Sequence, residues 1–110
     1  MEEQTIGPDL QLTTDLEGAR AVVRISGELD AYSAPGLDEE VSRLVAHDVS
    51  DLVFDLSGTD FVDSSGLRAI LTAQHVVTDR EGRLALRAPS NSVRRLLDIA
   101  GLTEQFIIES

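Results

Sequence analysis

The strongest restriction on the fold of this chain is a repeated switch between two hydrophobic periods, one of about two residues and one of about 3.6. Leu10 and Leu12 alternate with polar neighbours, and Arg20 to Ser26 carries Val22, Val23 and Ile25. These segments read as two strands of a hairpin, joined by a turn at Asp15 to Gly18. Gly27 to Tyr32 reads as a connection. Ser33-Ala34-Pro35 then supplies a capping hydroxyl and a first-turn proline, and Leu37, Val41, Leu44 and Val45 form one apolar stripe ending near His47. Leu52 to Leu56 is apolar on both faces, as in a strand covered by helices. Ser57 to Asp63 reads as a loop, and a second helix starts near Ser64 with Leu67, Ile70, Leu71, Gln74 and Val77 on one face before Glu81-Gly82 breaks it. Leu84 to Leu86 is a further strand. Ser90 is placed to cap a third helix with Val93, Leu96, Leu97 and Ala100, closed by Gly101, and Phe106 to Ile108 is a last strand. The expected fold is a single-domain α/β mixed sheet, mostly parallel, with an N-terminal antiparallel hairpin and packed by α-helices. Residues 1–8, containing Gly7-Pro8, are expected to be a loose lead-in.

Composition removes several functions. At 110 residues the chain suits one domain able to bury a core without staples. With no cysteine it has no disulfide, thiolate metal site or cysteine nucleophile. All nine basic residues are arginine, against twenty acids, for a formal charge of −11. That charge disfavours nucleic acid and anionic membrane surfaces and suits a partner with basic residues. Without lysine there is no P-loop, Schiff base or serine–lysine pair. The start Met1-Glu2-Glu3-Gln4 is not that of a secretory signal, and no apolar run reaches the ~18 residues of a membrane span, so a cytoplasmic location is expected.

In an α/β sheet, ligands and partners meet the loops at the carboxyl ends of strands. Two such loops stand out, 27–33 and 57–66. Asp63-Ser64-Ser65-Gly66-Leu67 reads most simply as a helix cap with a small residue for close packing. The same geometry would place a serine beside free amide donors, where an attached phosphate is tolerated. A nucleophilic Ser64 would need a base, but His75 is eleven residues up the same helix, about 16 Å along its axis, and His47 ends the preceding helix at the opposite sheet edge. Asp30, Asp60 and Asp63 are a conceivable magnesium triad, with solvated turn residues as the simpler reading. Asp55 invites a receiver-domain reading, which the missing lysine and the initial hairpin oppose. Arg94-Arg95 reads as a solvated helix face.

Three segments together, Gly27-Glu28-Leu29-Asp30, Phe61-Val62-Asp63-Ser64-Ser65-Gly66-Leu67 and Leu97-Asp98-Ile99-Ala100-Gly101-Leu102, resemble the STAS domain of bacterial anti-sigma factor antagonists in order and spacing. The resemblance runs from about Leu10 to Ile108. It implies a non-enzymatic, cofactor-free partner switch. The unphosphorylated antagonist binds an anti-sigma factor that is a serine kinase, a sigma factor is released, ATP-dependent phosphorylation ends the interaction, and a PP2C-type phosphatase restores it. Carried onto this sequence, the acceptor is Ser64, the hydroxyl immediately after the aspartate, and docking falls to Asp30, Asp63, Ser64, Ser65, Gly66 and Leu67. Arg68 departs from the glycine that many family members carry after the leucine. STAS domains also occur attached to anion transporters; without a membrane segment the stand-alone regulator is the better match. The competing expectation is a STAS scaffold in a larger signalling assembly with no phosphorylation, and a metal-dependent hydrolase is a remote third.

Overall fold

The computed structural model describes residues 2–7 and 9–109. Its elements are β1 (Glu2–Thr5), β2 (Leu10–Glu17), β3 (Arg20–Leu29), α1 (Ala34–Ala46), β4 (Asp51–Asp55), β5 (Thr59–Val62), α2 (Ser64–Thr78), β6 (Arg83–Arg87), α3 (Asn91–Ile99), a 3₁₀ turn at Thr103–Gln105 and β7 (Ile107–Glu109). One mixed sheet runs β1-β2-β3-β4-β6-β7, with β5 attached to β3 beside β4. The β1–β2 and β2–β3 pairs are antiparallel, and the other four pairs are parallel. The mixed, mostly parallel sheet packed by helices is the expected one.

Four local expectations are corrected. The turn expected at Asp15 to Gly18 is displaced, because β2 runs on to Glu17, paired with Arg20, and leaves only Gly18 and Ala19 as the connection. Of the lead-in, Glu2–Thr5 is a strand, in register with Gln11–Thr14, so the hairpin is the second half of a three-stranded meander; Met1 and Pro8 lie outside the described residues. Four polar residues carry no period of their own, and the strand exists because β2 offers a free edge to pair with. The supposed connection after Ser26 continues as β3 to Leu29, and the supposed loop at Ser57–Asp63 contains β5. The two extensions have one cause, because β3 pairs with β4 as far as Arg24↔Asp55 and then with β5 from Gly27↔Thr59.

Alternation sorts the strand residues. Leu12, Val23, Ile25, Leu52, Phe54, Leu84 and Leu86 are buried in one cluster with Leu37, Val41 and Leu44 of α1, Ile70, Ala73 and Val77 of α2, and Val93 and Leu97 of α3. All three helices therefore share one face of the sheet. On the other face a row of Arg24, Asp55, Arg87 and Glu109 crosses four strands, and a second row holds Arg20, Asp51 and Arg83. Ion pairs link neighbours within each row, as Arg20–Asp51 at 3.3 Å and Arg87–Glu109 at 3.3 Å. Between the rows Val53 and Ala85 are fully buried although they point away from the helices, each flanked along its strand by charged residues of the two rows.

Candidate functional site

The site forms where two neighbouring parallel strands end together. The register Glu28↔Phe61 and Leu29↔Val62 makes Asp30 and Asp63 the next residue on each strand. The Asp63 amide donates to the Leu29 carbonyl at 3.2 Å, tying the two exits together. Asp30 and the Asp63–Leu67 segment, far apart in sequence, are thus brought to one edge. Gly66 explains how closely they meet, since a Cβ there would sit 2.3 Å from the Leu29 carbonyl oxygen and 2.9 Å from Leu29 Cγ.

Asp30 organises the first loop. Its Oδ1 accepts from the Tyr32 and Ser33 amides, both at 3.0 Å, and from Ser33 Oγ at 3.1 Å. The Ser33 amide contributes most to holding the Asp30 carboxyl below its ordinary pKa. Ser33, expected to cap α1 with its hydroxyl, makes no such bond. It is buried, and its Oγ donates to the Glu28 carbonyl at 2.9 Å instead. That bond fixes the loop to the end of β3.

Asp63 is the cap of α2, its Oδ1 accepting from the Gly66 amide at 2.9 Å. The capping reading of the motif is correct for Asp63, and it leaves the serines free. Ser64 is the first helical residue and is exposed; among the described residues its hydroxyl enters no hydrogen bond. Ser65 is half-buried, Gly66 is buried, and Leu67 is half-buried against the core. Gly66 and Leu67 therefore shape the site from beneath, while Ser64 and the Asp30 loop present its surface. The start of α3 supports it from the side. Ser90 Oγ, expected to cap α3, donates to the Thr59 carbonyl of β5 at 2.9 Å, and Thr59 Oγ1 donates to the Ile25 carbonyl at 2.6 Å.

Tyr32 and Phe61 are not among the docking residues expected from the sequence, yet they flank this edge at 79% and 47% exposure. The other two phenylalanines, Phe54 and Phe106, are buried. The available signal was an aromatic in a polar loop two residues from each aspartate. Beside Tyr32 opens a cleft of about 250 Å³ whose lining residues include Asp9 and Asp30 and no basic residue.

The other candidates fall elsewhere. Among the described residues no three His, Asp or Glu side chains gather as a metal site, so Asp30, Asp60 and Asp63 do not form the magnesium triad. His47 is the C-cap of α1, its Nδ1 2.8 Å from the Arg43 carbonyl, and His75 lies in the last turn of α2. Asp55 lies on the face opposite the helices, its Oδ1 accepting from the Ser57 amide at 3.0 Å and from Ser57 Oγ at 2.7 Å. Arg94 and Arg95 are exposed on α3. No described helix is long and apolar enough to cross a membrane.

A meander leading into a helix-backed parallel sheet, with two strand ends supporting a capped helix start, defines a small α/β domain whose distinctive surface is a loop edge rather than a deep pocket. The chain belongs to the STAS domain family, whose model matches residues 10–110. It is 38% identical over 82 residues to an anti-sigma-B factor antagonist of Bacillus subtilis, covering 74% of each chain. Its fold superimposes with a TM-score of 0.81 on an anti-sigma factor antagonist from Mycobacterium paratuberculosis, at 27% identity over 96% of this chain and 90% of that one. It also matches the fold of the Bacillus cell fate determinant SpoIIAA in its phosphorylated form, with a TM-score of 0.73 at 22% identity over 90% of this chain and 91% of that one. The receiver reading of Asp55 is set aside by this membership.

Proposed function

We propose that this domain is an anti-sigma factor antagonist controlled by phosphorylation of Ser64. In its unmodified state it docks on a serine-kinase anti-sigma factor through the edge formed by Asp30, Asp63, Ser64 and Ser65, and thereby frees a sigma factor. The kinase transfers a phosphoryl group from ATP to Ser64, and a PP2C-type phosphatase reverses the change. The observation that carries this reading is the exposed, unengaged hydroxyl of Ser64 at the first residue of α2, beside the Asp30 loop. The names of the similar proteins support the antagonist role, and the phosphorylated state of SpoIIAA supports the modification.

The docking chemistry follows from the edge. Tyr32 and Phe61 offer exposed aromatic area, the kind of side chain that anchors protein interfaces. The Asp9 and Asp30 carboxylates favour a partner with basic groups. A phosphate adds a charge of about −1.5 to −2, and burying an unpaired charge at an interface costs about 2–5 kcal/mol, a loss of binding of tens- to thousands-fold. In the free domain the repulsion from a neighbouring aspartate at about 5 Å is only about 1–2 kcal/mol and is offset in part by the helix dipole. The switch then works by spoiling the docking surface, with the fold intact.

The test is incubation with ATP, magnesium and candidate serine-kinase anti-sigma factors, with the phosphate mapped by mass spectrometry. One phosphate on Ser64 is expected, with Ser64→Ala accepting none while still binding the kinase. Uptake abolished by Ser65→Ala instead would move the acceptor. Binding without phosphate from any candidate would replace the switch by a scaffold.

A further inference from the structure

We propose that Arg68 is the internal counter-ion of phosphorylated Ser64. This rests on the Ser64 reading above and adds how the modified state is held. Ser64 and Arg68 stand four residues apart on α2, which places their side chains on one helix face with Cβ atoms about 5–6 Å apart. Both residues are exposed, whereas Ser65 and Leu67 between them are half-buried and Gly66 is buried. The anion-bearing position is N-terminal to the cation, the favourable order for such a pair.

Arg68 is free for this role. Among the described residues the ion pairs use Arg20, Arg24, Arg43, Arg83 and Arg87, and none uses Arg68. The nearest capping carboxylate, Asp63, has its Oδ1 engaged by the Gly66 amide. Before modification Ser64 carries no charge for Arg68 to meet. Afterwards the phosphate offers three acceptor oxygens to a planar guanidinium that can bind two of them. In a chain of net charge −11, with Asp30 and Asp63 at the same edge, this is the arginine that can offset the added charge from the acceptor's own helix. The pair draws the phosphate along α2 and makes the modified state a defined one.

The test needs no kinase. Phosphoserine is encoded at position 64 during translation, and Arg68→Gln and Arg68→Lys are made in both the modified and unmodified proteins. At low salt Arg68→Gln is expected to lower the Tm of the phosphorylated protein by about 2 °C more than it lowers that of the unmodified one. The excess should vanish near 1 M salt, where the Debye length is about 3 Å, and Arg68→Lys should keep part of it. Equal shifts in both backgrounds would overturn the pairing. A kinase that never modifies Ser64 overturns the functional reading instead, so the two failures are distinguishable.

Discussion

Gly27 and Gly101 both sit at positive φ, at 106° and 72°, but an added methyl would meet different surroundings. At Gly101 nothing lies within 4 Å, so only the backbone strain of a helix-ending left-handed residue remains. At Gly27 a Cβ would sit 1.9 Å from the Asp9 carbonyl oxygen, which accepts from the Glu28 amide at the bulge where β3 changes partners. Gly101→Ala is expected to cost about 1 kcal/mol. Gly27→Ala should cost about 3 kcal/mol or more, because backbone must move. Urea unfolding of the two variants measures the contrast, and equal losses would mean that the close approach at Gly27 is unimportant. Both glycines were visible in the sequence. Gly101 could be read as a helix stop from its own neighbours, whereas the crowding at Gly27 comes from Asp9, eighteen residues away.

The same distinction holds for whole elements. β1 is held by a cluster that no local pattern announces. The buried Glu40 of α1 accepts from Arg43 Nε at 2.7 Å and Nη2 at 3.0 Å, from Thr14 Oγ1 on β2, and from Gln4 Nε2 on β1 at 3.5 Å. Arg43 also reaches Glu2 at 2.6 Å. Burial alone would raise the Glu40 pKa, but the bonds from Arg43 and Thr14 outweigh it and the pKa is lowered. Arg43→Ala would leave a buried carboxylate with few partners, and a loss of about 3 kcal/mol is expected. Amide exchange should speed up most in β1. Replacing Glu40 and Arg43 together by apolar residues of similar size should cost far less, since the charge is then removed rather than stranded.

At the scale of the whole molecule, pH is the natural probe. The pKa values of Asp30, Glu40 and Asp55 are all lowered in the fold. A carboxyl with a depressed folded pKa adds stability above its unfolded value, near 4, and that contribution fades as the pH falls through the folded value. Asp38, raised by burial, acts in the opposite sense. With three groups against one, stability should be flat from pH 7 to about 5 and fall steeply below about 4. Circular dichroism melts across that range test this; a rise in Tm on acidification to pH 4 would reverse the assigned signs. The phosphorylation proposed at the exposed Ser64 would add charge to a chain already at −11 at a position outside the core, so the modified and unmodified proteins should keep the same helix signal and melt within a few degrees of each other. A collapsed phosphorylated form would contradict a switch that acts at the docking surface.

The alternation of periods determined the order of β2, β3, β4, β6, β7 and the three helices, the mixed and mostly parallel sheet, and the segment Asp63-Ser64-Ser65-Gly66-Leu67 as a helix start. These depend on contacts within a few residues, or on one buried face that a period reports directly. Only the tertiary structure decided the rest. β1 is short and polar and β5 only four residues long, and both become strands through edges supplied by β2 and β3. Ser33 and Ser90, placed correctly as residues preceding helices, turn their hydroxyls to carbonyls of β3 and β5. Tyr32 and Phe61 are aromatic yet exposed, and Asp30 meets Asp63 because Leu29 and Val62 pair. Each of these is a contact between residues distant in the chain. A periodic pattern records which face is buried, but not which distant backbone arrives to cover it.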